Sequence, residues 1–446
     1  MARNRLLLLA GGPLLLFLLL AGLWLGLEYH FEDRIFYGVR IHNHYLGGLP
    51  RGEAASRIED LARELETKPL DLYYGDRVWE LIPEEIGIRL DRRAVLEEAY
   101  GVGRKGSLLE QVRERWQVWR RGREIELSLL VDEKGREEYF AALAREINSR
   151  PRNASLDPDT MTVIPGRKGL ELEQGASWER LEAEIKNFQP GQVPLLVREI
   201  APATSQEDIL ALGEIGILGQ AVTVFQREEE NRAVNIQLAA AALDGTIIEP
   251  GEILSFNDVV GPREPQYGFM EAPELVNMEL VSGIGGGVCQ VSSTLFHAAL
   301  LAGMEVVERH CHSRPVAYIP LGLDATVVYN YLDLKLANRG ISPLLLVARI
   351  REDRLELAVL GKSWTPEGIR LETGEIEEIE APVEYVLDPT LPAGELLEEE
   401  AGAPGYRVQV ERVVTLEGRE IRREIVSDSV YFPRPRVFRR GPVPGN

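Results

Sequence analysis

The sequence predicts an α+β protein with an N-terminal transmembrane helix, two α+β repeats, an α+β thiol domain and a β-rich C-terminal module. Three observations carry this prediction: an uncharged apolar run at residues 6–27, two copies of one strand and helix pattern, and a glycine-rich turn that leads into Cys289. The chain of 446 residues is long enough for about three domains outside the membrane. We place the boundaries at 1–34, 35–125, 126–204, 205–340 and 341–446.

The N-terminal apolar run is long enough to cross a bilayer as a helix. Arg3 and Arg5 precede it and Glu28 follows it, and positive charge before a span keeps the N-terminus in the cytoplasm. The run lacks the small-residue cleavage site of a signal peptide. The sequence therefore predicts a single-pass cell-membrane protein with a cytoplasmic N-terminus and the bulk of the chain extracytoplasmic.

The charge balance excludes one class of partner. The formal net charge is −21, and no basic stripe interrupts the acidic surface that this implies. Proteins that bind nucleic acid cluster Lys and Arg against the phosphates. We therefore expect no nucleic acid partner.

Residues 35–204 repeat one pattern of a short strand, a helix and a strand pair around a glycine. In each copy an Ile-Pro step precedes that glycine, an alternating strand and an amphipathic helix. The repeat contains no convergent nucleophiles or metal ligands, so it predicts no chemistry. The matched positions are Ile82 with Ile164, Pro83 with Pro165, and Gly87 with Gly169.

Residues 283–297, GIGGGVCQVSSTLFH, place Cys289 where a glycine-rich turn meets a helix. The apolar residues that follow recur at helical spacing, and Gly303 is the expected stop. A thiol at a helix start faces unpaired N–H groups and the positive end of the helix dipole, which lower its pKa and favour the thiolate. Backbone N–H groups near Gly287 to Gln290 are the expected donors to an oxyanion.

The segment after this helix supplies a base and an acid. Alternation between residues 316 and 330 predicts a half-buried antiparallel strand pair. His310 and His312 are the candidate bases, and Asp324 and Asp333 follow as candidate acids. A cysteine at a helix start, a histidine and an acid that orients the imidazole form a working thiol nucleophile. The sequence leaves the choice between the two aspartates open.

Other interpretations of the cysteine stay open at this stage. Cys289 is a small buried hydrophobe, as most free cysteines are, or it forms a disulfide with Cys311, the only other cysteine. A metal site that adds His310 and His312 is a further alternative, although the spacing does not suit zinc. His297, further along the helix, is expected to pack rather than to bind a ligand.

From residue 341 to residue 446 the apolar alternation predicts an all-β arrangement with turns at Gly and Pro. The stretch at 375–405 is rich in Glu and Pro and is expected to be a partly flexible joint. Disorder is expected from Arg440 onward.

Three stretches of the chain resemble the VanW domain. They are NRAVNIQLAAAALDGTIIEPGEILSFNDVVGP at 231–262, GGGVCQVSSTLFHAALLAGMEVVERHCHS at 285–313 and VAYIPLGLDATVVYNYLDLKLAN at 316–338. Cys289 matches the cysteine of the family's GGGxCQ motif, and His312 with Ser313 matches its HS pair. The further motif positions are Arg309, Tyr318, Asp324 and Asp333. The opening GVRIHNHYLGGLPRGEA and the repeats resemble a peptidoglycan-binding repeat that often precedes VanW domains, and residues 376–440 are similar to a G-five module.

This resemblance implies a cysteine-dependent L,D-transpeptidase that cross-links peptidoglycan stem peptides without a metal or a cofactor. Cys289 would be the nucleophile, His312 the base, and Asp324 or Asp333 the orienting acid. The implied substrate-binding residues are Arg309, which would pair with a carboxylate, and Gly287, Gln290, Ser313 and Tyr318.

Two alternatives accompany this hypothesis. One is a non-enzymatic peptidoglycan-binding or scaffold protein linked to the cell envelope or to the glycopeptide-antibiotic response, in which GGGVCQ is only a packing turn. The other is hydrolysis of wall peptides by the same residues with water as the acceptor. The second differs from transpeptidation in how well the site excludes water, which the sequence does not determine.

Overall fold

The computed structural model describes residues 18–19, 21–188, 191–276, 279–362 and 368–442, and the side chains of 274–281 are not described. No helix in these ranges is long and apolar enough to cross a membrane. This finding corrects the expected N-terminal transmembrane helix, and with it the predicted single-pass localisation and membrane partner. Residues 6–17 and 20 of the expected span lie outside the described residues, and residues 21–31 are helical.

The described chain alternates short strands with helices up to Leu301 and is β-rich after it. Its helices are α1 (21–31), α2 (Arg51–Thr67), α3 (Arg92–Gly101), α4 (Leu108–Arg121), α5 (Glu133–Ile147), α6 (Gln174–Lys186), α7 (Gln206–Ala211), α8 (Glu230–Leu243), α9 (Phe256–Val260) and α10 (Val288–Leu301). The strands before α10 are β1 (Val39–Ile41), β2 (His44–Tyr45), β3 (Leu70–Tyr74), β4 (Arg77–Leu81), β5 (Ile88–Leu90), β6 (Arg123–Glu124), β7 (Leu129–Val131), β8 (Ser155–Asp157), β9 (Thr162–Ile164), β10 (Gly169–Leu172), β11 (Gln192–Pro194), β12 (Val197–Ile200), β13 (Gly216–Val224), β14 (Ile247–Ile248), β15 (Ile253–Ser255), β16 (Glu271–Val276) and β17 (Glu279–Ile284). The strands after α10 are β18 (Glu305–Glu308), β19 (Lys335–Ala337), β20 (Leu344–Arg351), β21 (Arg354–Gly361), β22 (Ile369–Thr373), β23 (Glu377–Ile379), β24 (Val383–Leu387), β25 (Leu396–Glu400), β26 (Gly405–Leu416), β27 (Arg419–Tyr431) and β28 (Arg436–Arg440).

The chain divides into two compact units. The first contains Met1–Ser149 and Leu170–Glu199, and the second contains Arg150–Gly169 and Ile200–Asn446. In the first unit small sheets of order β2-β1-β6, β11-β3-β4 and β5-β7 share an apolar core with the helices. The two repeats have the same order of helix, strand pair, strand and helix, as α2-β3-β4-β5-α3 and α5-β8-β9-β10-α6. The β8-β9 hairpin, however, belongs to the second unit.

The second unit is built on a four-stranded antiparallel sheet of order β13-β21-β20-β14. The strand pair β20-β21 lies within the range that the sequence analysis assigned to the C-terminal region, yet it pairs with β13 of the thiol domain. Helix α10 packs on this sheet so closely that a Cβ on Gly219 of β13 would lie 2.3 Å from the carbonyl oxygen of Ala298. Only glycine allows that approach. Apolar residues from both α8 and α10 are buried in the resulting core.

The C-terminal strands form two further sheets in this unit. Strands β22, β26 and β23 make one sheet that β27 extends by pairing with β26, and β24, β28 and β25 make the other. Strands β23, β24 and β25 lie within residues 375–405, so the segment expected to be a flexible joint is extended and paired. Its Glu side chains stay compatible with strands because they point to solvent.

Residues 309–334, between β18 and β19, form a long irregular loop rather than the expected strand pair. A single isolated bridge joins Val328 to Leu332. The alternation in this stretch has another cause, since Ile319, Leu323 and their neighbours turn into the core without a backbone ladder. Proline rings in the segment also remove donors that a ladder needs.

Candidate functional site

A tight glycine turn delivers Cys289 to the start of α10. The helix begins at Val288, as the sequence predicts, and Gly287 before it has a φ of 109°. A Cβ on Gly286 would lie 2.6 Å from the carbonyl oxygens of both Ala272 and Pro273. The backbone here therefore follows a path that is closed to other residues, and it fixes where the thiol begins.

His312 contacts the cysteine on one side and Asp324 on the other. Its Nδ1 donates to Oδ2 of Asp324 at 2.6 Å, and its backbone N–H donates to the same oxygen at 2.6 Å. Because Nδ1 is engaged by Asp324, Nε2 is the ring nitrogen left for the thiol of Cys289, the side chain with which His312 also interacts electrostatically. The imidazole is 6% exposed and the carboxylate 1% exposed, so both are shielded from water. These three side chains form a thiol, imidazole and carboxylate triad.

The electrostatics of the triad favour an ion pair. Burial raises the pKa of the Cys289 thiol, but the hydrogen bond and charge of His312 outweigh it and hold that pKa below its ordinary value. Burial alone would lower the pKa of His312, yet hydrogen bonds to Asp324 and Cys289 raise it to about 9. These shared interactions favour a thiolate beside an imidazolium over the neutral pair, and the thiolate is the nucleophilic form of a cysteine.

Asp324 is held by a dense set of donors. Arg309 donates to its Oδ1 at 3.0 Å and to its carbonyl oxygen at 2.7 Å. The hydroxyl of Tyr431, on β27, donates to Oδ1 at 2.5 Å and accepts the N–H of Gly322 at 2.7 Å. Burial raises the pKa of Asp324, but His312 and the Arg309 charge bring it below its usual value. The carboxylate is thus fixed in place and ionised.

Arg309, the residue predicted to bind a substrate carboxylate, has partners within the protein. Its guanidinium is 6% exposed, pairs with Asp324 and also donates to Oγ of Ser429 at 2.8 Å. These partners occupy the group that was expected to bind a substrate carboxylate. Ser429 and Tyr431 carry no local sequence signal for this role, since they lie more than 100 residues beyond the residues they contact.

Asp333, the other candidate acid, lies in a different network. Its Oδ2 accepts from the hydroxyl of Ser255 at 2.6 Å, and its Oδ1 accepts from the backbone N–H of Asn257 at 3.0 Å. Among the described residues no hydrogen bond joins it to His312, so Asp324 is the orienting acid of this arrangement. Asp333 instead fixes the turn that opens α9.

Two other residues predicted to contact the substrate, Gln290 and Ser313, have hydrogen-bond partners within the protein. The side chain of Gln290 is buried and donates to Thr223 and to the carbonyl oxygen of Val224. The N–H of Gln290 is engaged by the carbonyl of Gly287 at 3.0 Å, and so this expected oxyanion donor is occupied. Ser313 uses its carbonyl to accept from Phe432 at 2.7 Å.

Tyr318 packs edge-on to His312, with 6.5 Å between ring centroids. Burial raises the pKa of its hydroxyl, and the charge of Cys289 raises it further. The phenol therefore stays protonated beside the thiol, and it forms part of the wall of the site.

The other interpretations of the cysteines were a disulfide between Cys289 and Cys311 and a metal site. Cys289 and Cys311 are both free thiols, and the Cys311 thiol points to the carbonyl of Val430 at 3.7 Å. His310 contacts Glu308 at 3.2 Å rather than the triad. Among the residues that the structure describes, no group of three or more His, Cys, Asp or Glu side chains is arranged to hold a metal ion. Burial lowers the pKa of His297, as suits a packing residue.

Arg263 is a site residue that the sequence analysis missed. It lies in the loop after α9, and its Cβ packs 3.0 Å from where a Cβ on Gly285 would be. Its NH1 donates to Oδ1 of Asn257 at 2.7 Å, whereas its buried NH2 has no hydrogen-bond partner among the described residues. The only available signal was an arginine directly after the Gly-Pro step that ends the first VanW-like stretch.

A cavity of about 650 Å³ also lies in the second unit, but it is separate from the triad. Its lining includes Asn153, Thr204, Asp208 and Glu249, and none of the triad side chains. The side chains that converge at Cys289 therefore lie outside this cavity.

Comparison with known proteins gives three family matches. Residues 231–360 match the family described as "VanW like protein", residues 79–194 match "Putative peptidoglycan binding domain", and residues 371–443 match "G5 domain". The triad residues, together with Arg263, fall inside the first of these ranges, whereas Tyr431 and Ser429 fall inside the third.

Two curated relatives and one solved structure are similar to parts of the chain. The uncharacterised protein YoaR of Bacillus subtilis (strain 168) is 38% identical over 220 residues, which is 49% of this chain and 72% of that protein. The vancomycin B-type resistance protein VanW of Enterococcus faecalis (strain ATCC 700802 / V583) is 32% identical over 115 residues, 25% of this chain and 42% of that protein. The IgA1 protease G5 domain structure is 30% identical, covers 17% of this chain and 89% of its own, and has a TM-score of 0.15. The resemblance seen in the sequence is confirmed: this chain belongs to the family of VanW-like proteins and carries a C-terminal G5 module.

Proposed function

We propose that the protein is a cysteine-dependent acyltransferase that cross-links peptidoglycan stem peptides, an L,D-transpeptidase. The observation that carries the proposal is the imidazole of His312, which interacts with the Cys289 thiol while its Nδ1 is held at 2.6 Å by Asp324. A cysteine that only packs needs no buried imidazole with a fixed carboxylate partner. A buried ionised pair is costly to maintain, and such pairs concentrate at functional sites.

The reaction has two halves. In the first, the Cys289 thiolate attacks a peptide carbonyl, a C–S bond forms, the C–N bond breaks, and the His312 imidazolium gives its proton to the leaving amine. In the second, the acceptor amine attacks the thioester, and His312 takes the proton that the amine loses. A C–N bond then forms as the C–S bond breaks, which restores the thiolate and imidazolium pair.

The cell wall is the setting that the comparisons support. The VanW-like, peptidoglycan-binding and G5 matches support a cell-wall-associated protein. A wall-binding segment at residues 79–194 would raise the local concentration of stem peptides at the thiol. We therefore propose an extracytoplasmic site of action.

The experiment is mass spectrometry of the reduced full chain after incubation with tetrapeptide and pentapeptide muropeptides, with Cys289→Ala as the matched control. We expect an acyl adduct on Cys289 and cross-linked dimers, both missing in the control. Shortened peptides without dimers would mean that water is the acceptor and that the protein is a hydrolase. No adduct and no product, together with a thiol that labels only after denaturation, would contradict catalysis and leave wall binding as the function.

A further inference from the structure

Arg263 lies against the glycine turn that delivers the nucleophile. It packs on Gly285, four residues before Cys289 in the chain, and its guanidinium lies over the rings of Phe256 and Tyr329, at 5.5 and 5.8 Å from their centroids. These two aromatic faces stabilise its positive charge.

One end of this guanidinium is anchored. NH1 donates to Oδ1 of Asn257 at 2.7 Å, and the amide of Asn257 donates to the carbonyl of Leu332 at 2.8 Å. Asp333 completes the anchor, since it accepts from the backbone N–H of Asn257. The hydrogen bond at this end is made to a neutral amide oxygen, so it holds the arginine in one orientation without forming an ion pair.

The other end is free. NH2 is buried and has no hydrogen-bond partner in the part of the chain that the structure describes, and no carboxylate there forms an ion pair with Arg263. An unpaired buried cation costs free energy unless a ligand supplies the missing charge. A guanidinium with a free N–H fits the oxygen of a carboxylate.

The neighbouring arginines cannot supply this contact. Arg232 donates from NH2 to Oε1 of Gln290 at 2.9 Å, and Arg309 is paired with Asp324. The charges of Cys289 and Arg263 stabilise each other, but the contact that Sγ of Cys289 makes is with the carbonyl of Val327 at 3.6 Å, and Sγ is not a hydrogen-bond partner of the buried guanidinium nitrogen.

We propose that Arg263 binds the free terminal carboxylate of the acyl-donor peptide, so that the site selects peptide acids whose last residue is the leaving group. The inference rests on the proposed acyl transfer, and it names the feature of the substrate that the site reads. It makes Arg263, rather than Arg309, the specificity-determining arginine.

The test uses the full chain with Cys289→Ala, so that binding is measured without turnover. A synthetic stem tetrapeptide is titrated by calorimetry, once as the free acid and once as its C-terminal amide. We expect the acid to bind about tenfold or more tighter, as suits a charge-assisted hydrogen bond. Adding Arg263→Gln should bring the two forms to within about twofold, and adding Arg263→Lys should leave an intermediate preference because the charge remains.

Arg339→Gln is the control, because Arg339 is exposed and paired with Glu305 in the same unit. It should leave the preference for the acid unchanged. Equal binding of acid and amide before the arginine is changed, no binding of either, or a preference that survives Arg263→Gln would each overturn the inference. If the acid preference is present and depends on Arg263 but the wild-type chain forms no acyl adduct, the proposed catalysis fails while the carboxylate site stands.

Discussion

At the residue scale, the site depends on how His312 is shared between two groups. Asp324 holds Nδ1 and fixes the ring, which leaves the other nitrogen for Cys289. Neither the pKa of the thiol nor that of the imidazole has its ordinary value, because each group supplies the charge that stabilises the other across a buried contact. Cys311, only one residue from His312, takes no part in this pair.

The two cysteines should therefore behave differently when they are replaced. Cys289→Ala should lower turnover by at least about a thousandfold, since the nucleophile is lost, while unfolding free energy changes by roughly 1 kcal/mol. Cys311→Ala should retain most of the turnover. Product formation by mass spectrometry and thermal unfolding of both variants check this, and turnover that survives in Cys289→Ala would contradict the thiol mechanism.

The raised pKa of His312 sets a pH window. The imidazolium is present below about pH 9 and is lost as pH rises through that value, so turnover that needs its proton for the leaving amine should fall above pH 9. The lowered pKa of Cys289 increases the fraction of thiolate at a given pH. We expect rapid iodoacetamide labelling at pH 7 and an alkaline decline in turnover.

The variant His312→Asn gives the matched comparison. Without the imidazolium, burial of Cys289 is no longer opposed by that charge, and the pKa of the thiol should rise. Labelling at pH 7 should then slow by about tenfold for each unit by which the pKa of the thiol rises. A labelling rate at pH 7 that is the same with and without His312 would show that the imidazole does not activate the thiol.

At the element scale, the junction of glycine turn and helix was predictable, whereas the loop that carries the base and acid was not. Glycines followed by an apolar helical period specify α10 locally, and the helix begins where expected. Residues 309–334 alternate like strands, but their side chains are buried by contacts with distant elements, which a local pattern does not encode. The sequence left the choice between Asp324 and Asp333 open for the same reason, since both follow the histidine at plausible spacings.

The turn itself can be tested with a single methyl group. Gly286→Ala would push a Cβ to 2.6 Å from two backbone carbonyl oxygens, so the turn would have to move. We expect a loss of about 1–3 kcal/mol in unfolding free energy and slower labelling of Cys289. Gly216→Ala is the control, because a Cβ there meets nothing within 4 Å. Equal stability of the two variants would mean that the turn tolerates displacement.

At the scale of the whole second unit, the G5 module completes the thiol site rather than merely following it. Tyr431 donates to Asp324, and Ser429 accepts from Arg309, which itself holds Asp324. Arg412 of β26 donates to the carbonyl of Met304 at 2.7 Å, just beyond the C-terminal end of α10. The helix C-terminus carries partial negative charge, which a buried guanidinium stabilises. The β content of this region was visible in the sequence, but these contacts join segments about 107 to 120 residues apart and leave no local trace.

Removal of the Tyr431 hydroxyl tests whether the thiol site depends on the G5 module. Tyr431→Phe should lower unfolding free energy by about 1.5–3 kcal/mol, because a hydrogen bond to a carboxylate is lost and the N–H of Gly322 loses its acceptor. Turnover should fall by about tenfold as Asp324 loosens. Tyr385→Phe is the control, since that tyrosine is 61% exposed. If the two variants have the same turnover and the same thermal stability, the G5 module does not support the thiol site.

The contact between Tyr431 and Asp324 also has a consequence for how the protein is made. When a ribosome has added Asp324, it must add 107 further residues before the phenol exists. At about 5–20 residues per second this takes on the order of 5–20 seconds. During that interval the nascent chain contains Cys289, His312 and Asp324 but lacks the Tyr431 hydroxyl that holds Asp324. The thiol site therefore reaches its final geometry only after β27 has been synthesised.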